Sequence, residues 1–194
     1  MAAYDPATAL VVVDVQNDFA DPAGGLYVPG AEAVIPAVNA EVAAARAAGA
    51  QVVYTTDWHP PTTPHFASDG GPWPVHCVKG TWGAELHPHL TVDGDIVRKG
   101  TGGEDGYSGF GMRDPRSGEE RTTGLAALLR ARGVSRVVVV GLAGDVCVAA
   151  TATDAARLGF ATTVVRAATA SVEVQPGDEE RAFAAMAAAG VQVV

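Results

Sequence analysis

The sequence predicts an α/β fold: a doubly wound, mostly parallel six-stranded sheet with helices on both faces, in a single domain over residues 1–194. Three observations carry this expectation. Four short runs are continuously apolar and β-branched, as strands covered on both faces require. Helical stretches lie between them, and three times a helix closes at a glycine a few residues before the next strand. The chain has 194 residues, 48% hydrophobic and 18% charged, which suits one large core and excludes wholesale disorder.

In chain order the strands are Ala9–Val13, Gln51–Thr55, Arg136–Val140 and Ala161–Val165, with weaker candidates at Gly94–Arg98 and Val191–Val194. The helices are Ala31–Ala48, ending at Gly49, Thr123–Ala131, before Gly133, Val146–Leu158, ending at Gly159, and Gly177–Ala189, ending at Gly190. Residues 57–93 break the alternation. That segment is rich in Pro and Gly and holds all five histidines and all three tryptophans, and so long a loop in a compact domain is usually functional.

The formal charge of −9 argues against a nucleic-acid or anionic-membrane partner. No apolar run approaches the roughly 20 residues that span a bilayer. The N-terminal stretch lacks the basic flank of a signal peptide, and two cysteines are too few for a disulfide framework. Together these features predict a cytoplasmic protein.

Ligands of open α/β sheets bind beyond the strand C-termini, so the residues there are the first candidates for chemistry. Asp14 follows the first strand, as a candidate acid or base or merely a turn aspartate. Asp57 and His59 follow the second, and alternation in extended chain aims both to one side. With His65 and His76 they make four hard-to-borderline donors within twenty residues, suited to zinc, iron or manganese. Lys99 follows a third strand and is one of only two lysines beside eleven arginines. Cys147 follows Arg136–Val140 where a helix should begin. With Asp145 as N-cap, Cys147 would lie near a helix N-terminus, which favours a thiolate and offers N–H groups to an oxyanion. Taken singly, Cys147 reads as a small buried hydrophobe. Cys77 reads as structural, and His87 and His89 as plain loop. Together, a thiol, a carboxylate and a cation around one crevice point to acyl transfer through a thioester, next to a metal.

The segments DVQNDF (14–19), TDWHP (56–60), HF (65–66), WPVHCV (73–78), GAELHP (83–88), KG (99–100), YSGF (107–110) and GLAGDVCV (141–148) resemble, in order, the nicotinamidase branch of the isochorismatase-like cysteine hydrolases. The resemblance covers nearly the whole chain. It implies an isochorismatase-like, Rossmann-like fold and a catalytic triad of Asp14, Lys99 and Cys147. It further implies metal ligands Asp57, His59 and His76, with His65 as a fourth that ligates directly or through water; the ion is one divalent metal, zinc first, with iron and manganese as alternatives. Phe19 and Trp73 match aromatic residues that sandwich a pyridine ring. A cis peptide is implied before Ala143, whose N–H joins that of Cys147 in an oxyanion hole against the substrate. The implied activity is hydrolysis of nicotinamide to nicotinic acid and ammonia, also on pyrazinamide, feeding NAD salvage. The alternatives are a relative acting on another small amide, an N-carbamoyl amine or a vinyl ether, and a non-enzymatic metal-binding module. The assembly stays open between monomer and homo-oligomer. Gly144 departs from the Thr or Ser found there in many members, which bears on substrate preference.

Overall fold

A computed structural model describes residues 2–194. Thr8–Val13 (β1) is buried at all six positions and lies at the centre of the sheet. Its alternate side chains serve two cores. Leu10 and Val12 join Val52, Tyr54, Val138 and Val140 on one face, while Ala9, Val11 and Val13 join Val53, Val137 and Val139 on the other. A strand buried on both faces can be apolar throughout, which is the pattern read in the sequence.

After β1 come a short helix, Asn17–Ala20 (α1), and a long one, Ala31–Ala47 (α2), then Gln51–Asp57 (β2). Short 3-10 turns at 67–69 and 82–84 punctuate the histidine-rich segment, which leads to Asp95–Lys99 (β3). A two-stranded antiparallel hairpin follows, Gly111–Arg113 (β4) and Glu120–Thr122 (β5). Leu125–Ala131 (α3), Arg136–Leu142 (β6), Ala149–Arg157 (α4), Ala161–Ala170 (β7), Asp178–Ala188 (α5) and Gln192–Val193 (β8) complete the chain. The main sheet has the order β3-β2-β1-β6-β7-β8, and all five pairings are parallel. Helix α2 contributes Ile35, Val38 and Val42 to one core, and α3, α4 and α5 contribute Leu129, Ala152 and Met186 to the other.

All six strands of the main sheet lie where the sequence places them. The structure differs in detail, and the short helix α1 was not among the expected elements. β7 runs five residues beyond Val165, past a register shift opposite Val139–Gly141. The hairpin was not anticipated. The helix expected from Val146 is preceded by a π-helical turn, Gly144–Val148, and Asp145 does not cap it. Its carboxylate instead accepts the Val172 and Glu173 N–H groups, at 2.9 and 2.8 Å.

The chain winds from β1 through β2 to β3 on one side, then crosses to β6 on the other. The reversal between β1 and β6 is the switch point at which such sheets bind ligands. Gly141 sits there at φ +108°, and a Cβ on it would lie 2.2 Å from Val13 O. Gly133 also has positive φ, but a Cβ there meets nothing within 4 Å. Gly133→Ala should therefore cost only the left-handed penalty of about 1–2 kcal/mol. Gly141→Ala should cost clearly more, because the β1–β6 backbones must separate. Urea unfolding of the two variants checks the order.

Candidate active site

The strand ends align because the sheet is in register: Asp57 pairs with Lys99, Val13 with Thr55, and Val13 with Gly141. Four neighbouring strands thus deliver Lys99, Asp57, Asp14 and Cys147 to one edge. Lys99 Nζ lies 2.7 Å from Asp14 Oδ2, 2.5 Å from Asp57 Oδ1 and 3.8 Å from Cys147 Sγ, and also donates to Gly106 O. Asp14, Asp57 and Cys147 offer atoms within 4.8 Å of one another. All four residues are buried.

Asp14 takes a left-handed backbone, φ +49°, as the chain turns off β1, a conformation that non-glycine residues adopt where surroundings impose it. Thr55 Oγ1 donates to Asp14 Oδ1 at 2.7 Å and fixes the carboxylate plane. Burial raises the Asp14 carboxyl to about 6 against the opposing pull of Lys99. Burial likewise tends to raise Asp57, but there Lys99, helped by His59 and His76, wins and holds the carboxyl well below the usual range. Burial disfavours the Lys99 ammonium, and Asp14 and Asp57 overcome it, so Lys99 is a fixed cation. Burial pushes the Cys147 thiol well up, with Lys99 opposing and Asp14 adding to the rise. A thiolate-favouring setting was expected, and this corrects it. The residue lies inside a π-turn rather than at the head of an α-helix, and desolvation by burial is the largest influence on its thiol. Cys147 therefore rests as a thiol, with Asp14 close by.

The π-turn begins directly after a cis peptide, Leu142–Ala143. Val146 and Val148 N–H both close on Ala143 O, at 3.1 and 3.0 Å. The N–H of Ala143 itself has no acceptor among the described residues. Such turns recur at functional sites. A Cβ on Gly144 would come within 2.6 Å of Ser171 Oγ, so this chain places a serine hydroxyl where residue 144 has no side chain.

His59, His65 and His76 offer ring nitrogens within 4.8 Å of one another. Asp57 Oδ2 lies 3.8 Å from His59 Nε2 and 3.9 Å from His76 Nε2. Those gaps are too long for hydrogen bonds. They fall under the about 4.2 Å that separates two ligands each about 2.1 Å from one ion on opposite sides. His65 Nδ1 is hydrogen-bonded to Asp105 Oδ1 at 2.7 Å, and His76 Nδ1 donates to Pro74 O at 2.7 Å, which leaves both Nε2 atoms free to ligate. Both ring nitrogens of buried His59 lack a hydrogen-bond partner. Gly100 packs against its Nδ1 edge, so that a Cβ there would lie 2.6 Å away, and Nε2 is the atom left to bind. Burial lowers His65, and lowers His76 to about 4, so both are neutral donors at pH 7. The donor chemistry and the orphaned nitrogens fit a divalent ion. His87 and His89 pack against each other at 5.1 Å and join no ligating cluster among the described residues.

A small cavity connects the two groups. Phe19, Trp73 and Tyr107 line it together with His65, His76, Ala143 and Cys147. Trp73 Nε1 donates to Tyr107 Oη at 2.9 Å and braces that wall. The residue-level reading of the sequence missed Tyr107, Asp105, Thr55 and Gln16. Gln16 spans Asp57 with two bonds, its Oε1 accepting Asp57 N–H and its Nε2 donating to Asp57 O, both 2.8 Å. Only the motif segments around Gln16 and Tyr107 carried a signal for them.

Comparison with known proteins agrees with this geometry. The Isochorismatase domain family matches residues 8–194. A nicotinamidase of Acinetobacter baylyi is 39% identical over 203 residues, covering 95% of this chain and 90% of that protein. The crystal structure of the pyrazinamidase of Pyrococcus horikoshii in complex with zinc superposes with a TM-score of 0.86 at 41% identity, covering 97% of this chain and 99% of that one. The structure of PnC1 from L. infantum in complex with nicotinate gives 0.90 at 36% identity, covering 100% and 95%. With the sheet order, the buried Asp–Lys–Cys set and a family match over almost the whole length in agreement, the chain belongs to the isochorismatase family.

Proposed function

We propose that this chain is a nicotinamidase, a cysteine amidohydrolase that converts nicotinamide to nicotinic acid and ammonia through a thioester and so feeds NAD salvage. Pyrazinamide, with the same carboxamide on a similar ring, is a second substrate. The observation that carries the reading is the Asp14–Lys99–Cys147 cluster at the foot of an aromatic-lined cavity. The relatives' names and the zinc and nicotinate complexes of similar structures support it. The whole of residues 1–194 works as one domain. Two free cysteines suit a reducing cytoplasm, and the acidic charge disfavours nucleic acid as a partner. No helix among the described residues is long and apolar enough to cross a membrane.

In this reading Phe19 and Trp73 hold the pyridine ring between them and direct the carboxamide carbon to Cys147 Sγ. Asp57, His59, His76 and His65 would hold one divalent ion, zinc by preference, whose chemistry there is Lewis-acid contact to the ring nitrogen or to water. Asp14 removes the thiol proton as sulfur attacks. Lys99 keeps Asp14 in place and compensates the negative charge that passes between carboxylate and thiolate. The N–H groups of Ala143 and Cys147 receive the oxyanion. Asp14 then returns its proton to the departing nitrogen, the C–N bond breaks, and ammonia leaves a thioester on Cys147. Water attacks the thioester carbon while Asp14 accepts its proton. The C–S bond breaks, and Asp14 hands that proton to sulfur, restoring the thiol.

Ammonia release from nicotinamide and pyrazinamide tests the reading. The wild type should turn over both. Cys147→Ala should lose activity by at least about three orders of magnitude, and prior chelation should lower wild-type activity with recovery on adding zinc. No release from zinc-loaded wild type would reject the assignment.

The acid side of the pH profile follows from Asp14. The base works only as carboxylate, and burial raises its carboxyl to about 6. Activity should therefore fall as pH drops through about 6, by about tenfold per unit below it. A kcat/KM profile flat between pH 7 and 4.5 would exclude Asp14 as the base.

A further inference from the structure

The cavity's walls come from segments far apart in the chain. Phe19, Leu26 and Val28 form one part, and Trp73 and His76 another. The side chain that ties them is Asp18. Its Oδ2 accepts the Cys77 N–H at 2.6 Å and its Oδ1 the Gly25 N–H at 2.9 Å, while its carbonyl accepts the Leu26 N–H at 3.1 Å. Asp18 immediately precedes Phe19, and Cys77 immediately follows His76. One charge-assisted bond therefore flanks the Phe19 and His76 rings, whose centroids lie 5.3 Å apart. Cys77 adopts φ +46°, a conformation that needs such an external tie. Gly83 completes the arrangement. A Cβ on it would lie 2.1 Å from Asp18 Oδ2, so the carboxylate fits only because residue 83 has no side chain.

We propose that Asp18, with Gly83 as its seat, is a positioning residue that sets the width of the ring slot and so governs substrate binding rather than bond breaking. It touches neither Cys147 nor Lys99. The proposal rests on the reading that this cavity holds the pyridine carboxamide. Loss of Asp18 frees both walls and weakens substrate and transition state alike, which raises KM and leaves kcat nearly unchanged.

The test measures kcat and KM for nicotinamide, with a thermal melt, on zinc-loaded wild type, Asp18→Ala, Asp18→Asn, Gly83→Ala and Asp18→Ala/Gly83→Ala. Asp18→Ala should raise KM about tenfold, the loss expected for hydrogen bonds to a charged acceptor, with kcat within about threefold. Asp18→Asn keeps one acceptor oxygen and should recover part of the loss. Gly83→Ala should reproduce the KM effect by displacing the carboxylate. The double variant should be no worse than Asp18→Ala, since both changes break one device. If Asp18→Ala does not fold, Asp18→Asn and Gly83→Ala carry the test. A folded Asp18→Ala or Gly83→Ala with unchanged KM, a loss confined to kcat, or additive effects in the double variant would overturn the role of Asp18 while wild-type activity keeps the functional reading intact. Inactive wild type would overturn both.

Discussion

Everything at the head of this sheet depends on one buried ammonium. Lys99 is 0% exposed, on the last residue of an edge strand, and reaches across β2 to Asp14 at the end of β1. An unpaired charge in such a place is strongly destabilising, by several kcal/mol. Lys99 is tolerated because two carboxylates and a backbone carbonyl surround it. The same contacts fix Asp14 against the thiol and Asp57 against the histidines. The thiol-bearing and histidine-bearing halves of the site are thus two ends of one ion-paired cluster.

The charge balance of that cluster has consequences for both halves. Two carboxylates against one ammonium leave a net negative charge in a buried volume, which favours a cation at the three histidines next to Asp57. On the other side, Asp14 shares its lysine with Asp57, and burial keeps its carboxyl near 6. Cys147 rests as a thiol because it is desolvated, close to the Asp14 carboxyl. The surrounding residues hold this arrangement still. Thr55 orients Asp14, Gln16 grips the Asp57 backbone, and Asp105 orients His65.

Most of the fold was legible because strands buried on both faces must be apolar throughout, and β1, β2 and β6 are. The β4–β5 hairpin was not, since each arm has three residues, largely exposed and without alternation. Asp145 fits an N-cap pattern by sequence, yet its carboxylate serves N–H groups 27 and 28 residues later, and no local pattern reports that. Asp14, Asp57, Lys99 and Cys147 stood out because strand ends in an open parallel sheet converge. Asp105 and Asp18 did not, because their meaning lies in partners 40 and 59 residues away along a loop of irregular path. The π-turn at Cys147 was invisible for the same reason: GDVCV has no residue that distinguishes it from an ordinary helix start, and its shape depends on the chain around Ala143 and β7.

The most direct measurement is urea unfolding of metal-free wild type, Lys99→Met, and Lys99→Met combined with Asp14→Asn and Asp57→Asn. If Lys99 is the charge that the two buried carboxylates require, Lys99→Met should lose about 3–5 kcal/mol, and the triple variant, with every charge of the cluster removed, should regain most of it. A Lys99→Met protein as stable as wild type, or a triple variant no more stable than Lys99→Met, would contradict the account.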